Sequence, residues 1–151
     1  MTEPAKDFAS EVFVIRGGRM LALLRAGDYP LWYLPGGMAE PDEQPAATAV
    51  RETFEETQLT IEPHLLNVWR RRSFAGTDRI HASYVAWSDS GEVVLNEEHT
   101  AYEWIEPAAF VERHWRDLPG DAPEWLTSMR DGIVRNVDLL VERLTARKPM
   151  R

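Results

Sequence analysis

The sequence predicts an α/β (α+β) sandwich in which a sheet of short strands carries helices on its faces. Three observations predict it. Short apolar runs recur between Gly and Pro breaks, as half-buried strands do. A segment from about Gln44 to Thr57 has helical periodicity, and so does a longer one near the C-terminus. Strands mixed with a few helices, rather than strands alone, select this architecture. The 151 residues are 44% hydrophobic and 28% charged, which suits one domain spanning 1–151.

Taken in order, Glu11 to Ile15 and Met20 to Leu24 are apolar runs separated by Gly17-Gly18, the signature of a β-hairpin. Leu31 to Leu34 is a further short strand, stopped by a turn at Pro35-Gly36-Gly37. The helix Gln44 to Thr57 follows. Its Ala46, Ala47, Val50, Phe54 and Thr57 are expected on the buried side, and Glu52, Glu55 and Glu56 opposite. Ile61 to Arg72 and Ile80 to Trp87 read as longer strands, and Ala101 to Ile105 as a short one. Pro107 to Arg113 suits one or two helical turns. Leu126, Met129, Ile133, Val137, Leu140 and Leu144 then recur at spacings of three and four, with Asp121 and Pro123 near the helix start. Packing of this helix on the sheet is the plain expectation; a helix–helix dimer contact is the alternative, so monomer and homodimer both stay open.

Composition excludes several function classes. The formal net charge of −8 argues against DNA or RNA polymers as partners, which require a basic surface. It leaves room for a small nucleotide-like substrate, because a divalent cation can bridge acidic side chains to phosphates. With no Cys, thiol catalysis and disulfides are excluded, and a cytoplasmic location fits. Met1 to Ser10 is polar and shows no leader, and no apolar run is long enough to span a membrane.

The chemistry concentrates in one segment. Glu52, Glu55 and Glu56 stand at i, i+3 and i+4 on one helix, where like charges repel by a few tenths of a kcal/mol per pair. A solvated acidic face accounts for such a pattern when it stands alone. A hard divalent cation with oxygen ligands reverses the sign of the effect. The glycines of Leu34-Pro35-Gly36-Gly37 allow close backbone approach to a ligand. Arg51 stands directly before Glu52, and Glu43 lies a fixed distance upstream.

Gly37, Glu43, Arg51, Glu52, Glu55, Glu56 and Leu59 together resemble the Nudix box, G-x5-E-x7-R-E-U-x-E-E-x-G-U with U aliphatic. Seven matches over so long a fixed spacing are a strong signal. Thr53 stands where an aliphatic residue is usual and should lie near the buried side. Gln58 replaces the usual Gly; a left-handed cap there would cost Gln roughly 1 kcal/mol. The resemblance implies a Nudix-like α/β/α sandwich with a mixed sheet and metal-dependent hydrolysis of a diphosphate linkage in a nucleoside di- or triphosphate or a nucleoside diphosphate derivative. It implies that Glu52, Glu55, Glu56 and the Gly36 carbonyl bind Mg²⁺ or Mn²⁺, and that Arg51 and Glu43 orient the acids. Glu52, Glu55 or a downstream Glu would serve as general base.

Downstream, Glu98-His99 followed by Trp104 resembles a segment of several Nudix subgroups, which implies Glu98, or alternatively Glu103, as a further metal ligand. It favours a nucleoside triphosphate-like or pterin triphosphate-like substrate. His64, His81 and His114 show no ligand spacing and receive no role. In Arg70-Arg71-Arg72, alternation puts Arg70 and Arg72 on one face, as phosphate contacts or surface charge, and Arg71 on the other. Among the aromatics, Trp32 and Tyr33 are candidates for stacking a ring, beside Trp69, Tyr84 and Trp87. A catalytically silent Nudix-fold nucleotide-binding or regulatory module is the competing reading; the presence of all three box carboxylates favours the enzyme.

Overall fold

The structure is a computed structural model and describes residues 8–147. The reading of the N-terminal lead-in, residues 1–7, lies outside the described residues. Seven strands form one mixed sheet: β1 (Phe8–Arg16), β2 (Arg19–Arg25), β3 (Trp32–Tyr33), β4 (Gly36–Met38), β5 (His64–Arg72), β6 (Asp78–Trp87) and β7 (His99–Ile105). The helices are α1 (Pro45–Thr57), α2 (Pro107–Phe110), which continues as a π-helical turn over Val111–Trp115, and α3 (Glu124–Arg147).

The hairpin forms as the sequence requires. Gly17 and Gly18 take φ of 57° and 77°, and Arg16 pairs with Arg19 across them. β1 is the axis of the sheet. It runs parallel to β6 from Phe8↔Ile80 to Ile15↔Trp87, and antiparallel to β2 and β4 on its other edge. Because successive side chains alternate, β1 feeds two cores. Val12 and Val14 pack with Leu21, Leu23 and Ala49 beneath α1. Phe13 and Ile15 pack with Ile133, Val137 and Leu140 of α3 on the opposite face. The result is the expected α/β/α sandwich, and the apolar stripe of α3 lies on the sheet.

Two expectations are corrected. Pro35-Gly36-Gly37 does not simply turn: Gly36–Met38 is a strand, with Gly36 opposite Glu11. A Cβ on Gly36 would lie 2.3 Å from the Ser10 carbonyl oxygen, so only Gly lets the two backbones approach this closely. The faces of α1 are also rotated from the expected ones. Its buried residues are Thr48, Ala49, Thr53, Glu56 and Thr57, while Ala46, Ala47 and Phe54 are exposed. Hydropathy alone misplaced them. Small threonines pack closely on the sheet, and Glu56 turns inward against β4 rather than out to water.

The end of α1 keeps the left-handed cap despite its residue. Gln58 has φ 64° and ψ 13°, and its N–H donates to the Phe54 carbonyl. This bends the chain so that Leu59 and Ile61 enter the α1-side core. β5 accordingly starts only at His64, after Pro63.

Candidate active site

The inward rotation of α1 brings its acids to the C-terminal edge of the β3–β4 connection. Glu56 is 3% exposed, and its Oε1 accepts the Gly36 N–H at 2.8 Å. Glu52 lies against Gly37, where an added Cβ would fall 2.6–2.8 Å from its carboxyl atoms. Gly36 thus holds Glu56 through its N–H, and Gly37 makes room for Glu52 by lacking a side chain.

Arg51 holds this arrangement. Its Nε and Nη2 donate to the two oxygens of Glu43 at 2.8 and 2.9 Å, a bidentate pair. Nη1 donates to Glu52 at 3.0 Å and to Glu55 at 3.2 Å, and Nη2 also reaches the Met38 carbonyl. Glu43 in turn accepts from the Thr48 hydroxyl at 2.6 Å. The hydrogen bonds from Arg51 hold the Glu43 carboxyl down to about 2, and Glu43 first among its partners holds the guanidinium well above its ordinary value.

β7 supplies the opposite wall. Oxygens of Glu56 and Glu98 and a ring nitrogen of His99 lie within 4.8 Å of one another. Burial, opposed by the Gly36 N–H and reinforced by Glu98 and Glu52, pushes Glu56 up to about 9. Burial also raises Glu52, against the pull of Arg51, and lowers His99. The buried His99 Nδ1 has no hydrogen-bond partner and stands 3.8 Å from Glu56 Oε2. Converging carboxylates, one of them buried, beside an unpartnered imidazole nitrogen form a donor set that fits a divalent cation.

Of the acids considered downstream, Glu98 is thus brought to the cluster. Glu103 is not: it accepts from His114 at 2.8 Å and lies 3.7 Å from Arg113. Glu55 is on the rim, its side chain 51% exposed and tied to Arg51.

A cavity opens beside the acids; Gly36, Gly37, Glu56 and His99 line it, together with Glu11, Tyr33, Arg71, Arg79 and His81. Tyr33 lines it. Trp32 does not; it stacks on His114 with ring centroids 5.0 Å apart. Arg70 and Arg72 also point away, and Arg72 pairs with Glu124 and Asp78. The cation of that run that faces the cavity is Arg71.

Sequence reading missed a second buried network. Glu11, 2% exposed, accepts from the Tyr33 hydroxyl at 2.5 Å and bonds His81 Nδ1 at 2.7 Å. Arg71 Nε donates to His81 Nε2 at 2.8 Å, so His81 is the neutral tautomer with its proton on Nδ1. Burial first, and then Glu11, raise Tyr33 well above the ordinary phenol value. The one signal available was a charged Glu inside an otherwise apolar strand.

The chain matches the family model of the NUDIX domain over residues 8–129 and belongs to the Nudix family. It is 27% identical over 142 residues, covering 88% of this chain and 94% of the relative, to a Bacillus subtilis (strain 168) protein provisionally named as an 8-oxo-dGTP diphosphatase. It is 38% identical over 104 residues, 68% of this chain and 64% of the relative, to a MutT-like protein of Streptomyces ambofaciens. Its fold is similar to that of an Ap4A hydrolase binary complex from C. elegans, with TM-score 0.73, 19% identity, and 92% and 98% of the two chains covered. The family match and these curated relatives support a pyrophosphohydrolase of that family.

Proposed function

We propose that this chain hydrolyses a diphosphate linkage in a nucleoside triphosphate-like substrate, using Mg²⁺ or Mn²⁺. The observation that carries the proposal is the cluster of Glu56, Glu98 and His99, with Glu52 beside it at Gly37. In this reading Glu52, Glu56, Glu98 and the Gly36 carbonyl hold the cation, and Glu55 joins from the rim. His99 is either a further ligand or a proton acceptor for a coordinated water. When bound, the cation neutralises charge on the diphosphate and acidifies a coordinated water.

The side chains divide the remaining work. Arg51 neutralises and spaces Glu52 and Glu55, so that their oxygens stay where the substrate arrives. Glu43 fixes Arg51 by its bidentate bond. In this reading Glu52, Glu55 or a downstream Glu would take the proton from the attacking water, unless His99 does so. Arg71 and Arg79, with Arg25, give the cavity a positive wall that suits phosphate oxygens.

The test is a panel of nucleoside triphosphates, dinucleoside polyphosphates and ADP-ribose, incubated with Mg²⁺ in ¹⁸O-labelled water and read by mass. Mg²⁺-dependent release of phosphate or pyrophosphate from a triphosphate, with label on one product, supports the reading and identifies the phosphorus attacked. Nucleotide binding without turnover under any metal would instead favour the silent module.

A further inference from the structure

We propose that Gly132 and Trp69 are positioning residues: the indole seated on the bare helix backbone at Gly132 fixes the His81 ring, and through it the aim of the Arg71 guanidinium in the cavity. The proposal rests on the phosphate-binding role given to the arginine wall above and concerns residues that lie behind that wall.

Glycine is a poor helix former, so one in the interior of a 24-residue helix calls for a reason. At Gly132 the reason is a ring. An added Cβ would fall 2.1, 2.5 and 2.6 Å from Cζ3, Cε3 and Cη2 of Trp69. Short distances to one ring carbon and to both its neighbours put the added methyl group on the face of the indole, not at its edge. The helix cannot back away. One turn before Gly132, the Ser128 hydroxyl accepts the Arg72 N–H at 3.0 Å. One turn after it, the Asn136 side-chain carbonyl accepts from Asn67 at 2.9 Å. α3 is thus fastened to β5 on both sides of the contact.

The indole is held as well. Its Nε1 donates to the Ser83 hydroxyl at 2.8 Å, an oxygen that also accepts from Asn136 at 3.2 Å. Its ring rests on His81, with centroids 4.5 Å apart and planes at 33°. A displaced indole therefore moves the imidazole.

His81 is the link to the cavity. It is buried, and both ring nitrogens are engaged, Nδ1 with Glu11 Oε1 at 2.7 Å and Nε2 with Arg71 Nε at 2.8 Å. The tilt of a planar imidazole sets the direction of both bonds. Arg71 also donates to the Arg72 carbonyl and has further interactions, so a tilted His81 mis-aims the guanidinium and does not release it. Arg71 and His81 line the cavity, whereas Gly132 and Trp69 are not among its lining residues. The pair acts on a bound phosphate through another residue, as groups one layer behind a site do when they lock the rotamers in front of them.

The experiment titrates inorganic pyrophosphate in chelator, by calorimetry, into the wild type, Gly132→Ala, Trp69→Leu and the double variant. Thermal midpoints are recorded, and the Nδ1–H resonance of His81, assigned by its loss in His81→Gln, is followed by NMR. Each single variant is expected to bind pyrophosphate about tenfold more weakly than the wild type and to shift the His81 resonance. The double variant should bind no worse than Trp69→Leu alone, since a methyl group at position 132 then meets no ring. Unchanged affinity in either single variant, an unshifted His81 resonance, or a further additive loss in the double variant would each overturn the proposal. A wild type that takes up no pyrophosphate would overturn it too, together with the phosphate role of the arginine wall. If Gly132→Ala does not fold, Trp69→Leu decides alone. The titration needs no metal, so a failure of the cation reading shows separately, as absent Mg²⁺ uptake, and leaves this result as measured.

Discussion

At Glu56 a carboxylate that is 3% exposed sits beside Glu98 and Glu52, where its charged form is disfavoured. Its affinity for protons is correspondingly high, at about 9. In metal-free protein the sign follows directly. The folded state binds this proton more tightly than the unfolded chain does, so its contribution is present at low pH. It is lost as pH rises from the ordinary carboxylate range through about 9. Glu43 behaves oppositely, with its folded value near 2. Its contribution is present above the ordinary carboxylate range and fades as pH falls toward 2. Denaturant unfolding in chelator across pH should therefore show stability falling on both sides of a weakly acidic maximum. Glu56→Gln should flatten the alkaline limb and leave the acid limb unchanged; an unchanged alkaline limb would count against the assignment. Arg51 is the other decisive residue. Replacing it with Ala leaves Glu43, Glu52 and Glu55 facing one another with no guanidinium between them. With the side chain 23% exposed, a loss of about 2 kcal/mol is expected in denaturant melts, largely restored by a saturating divalent cation.

At the scale of elements, α1 decides the site. The Gly37-to-Leu59 spacing was legible because box residues lie close in sequence and their chemistry is local. The orientation of the helix was not legible, because Thr48, Thr53 and Thr57 pack like small apolar groups against the sheet while Phe54 stays 45% exposed. Tertiary fit outweighed side-chain hydropathy. Gln58 gives a direct check of the cap: its φ of 64° is costly for a residue with a Cβ. Gln58→Gly should raise stability by about 0.5–1 kcal/mol with no change in kcat. A destabilised variant would mean that the Gln side chain does more than close the helix. In β4, Gly37→Ala would push a methyl group into the Glu52 carboxyl. A fall in kcat of at least about tenfold is expected, larger than any change in thermal midpoint suggests. Full activity would show that Glu52 has another position to work from.

At the scale of the whole molecule, the sheet joins two ends of the chain that no local pattern connects. Glu11 and His81 are 70 residues apart and meet because β1 and β6 run in parallel register. Glu98 reaches Glu56 because β7 lies along β2. For this reason Glu98 and Glu103 could not be separated from sequence, and His81, Arg71 and Glu11 were not recognised as one network. The sandwich itself was legible, since alternation along β1 and the stripe on α3 each report one buried face. Among the described residues no helix is long and apolar enough to cross a membrane. The net charge is −8, yet the cavity itself is lined by Arg25, Arg71 and Arg79.

The most direct measurement is calorimetric titration of Mg²⁺ and Mn²⁺ into chelator-treated protein and Glu56→Gln at neutral pH, in two buffers of different ionisation enthalpy. Uptake by the wild type with release of about one proton, and binding weaker by roughly tenfold or more in the variant, is predicted. No uptake of either ion by the wild type, even with nucleotide present, or equal binding by the variant, would contradict it.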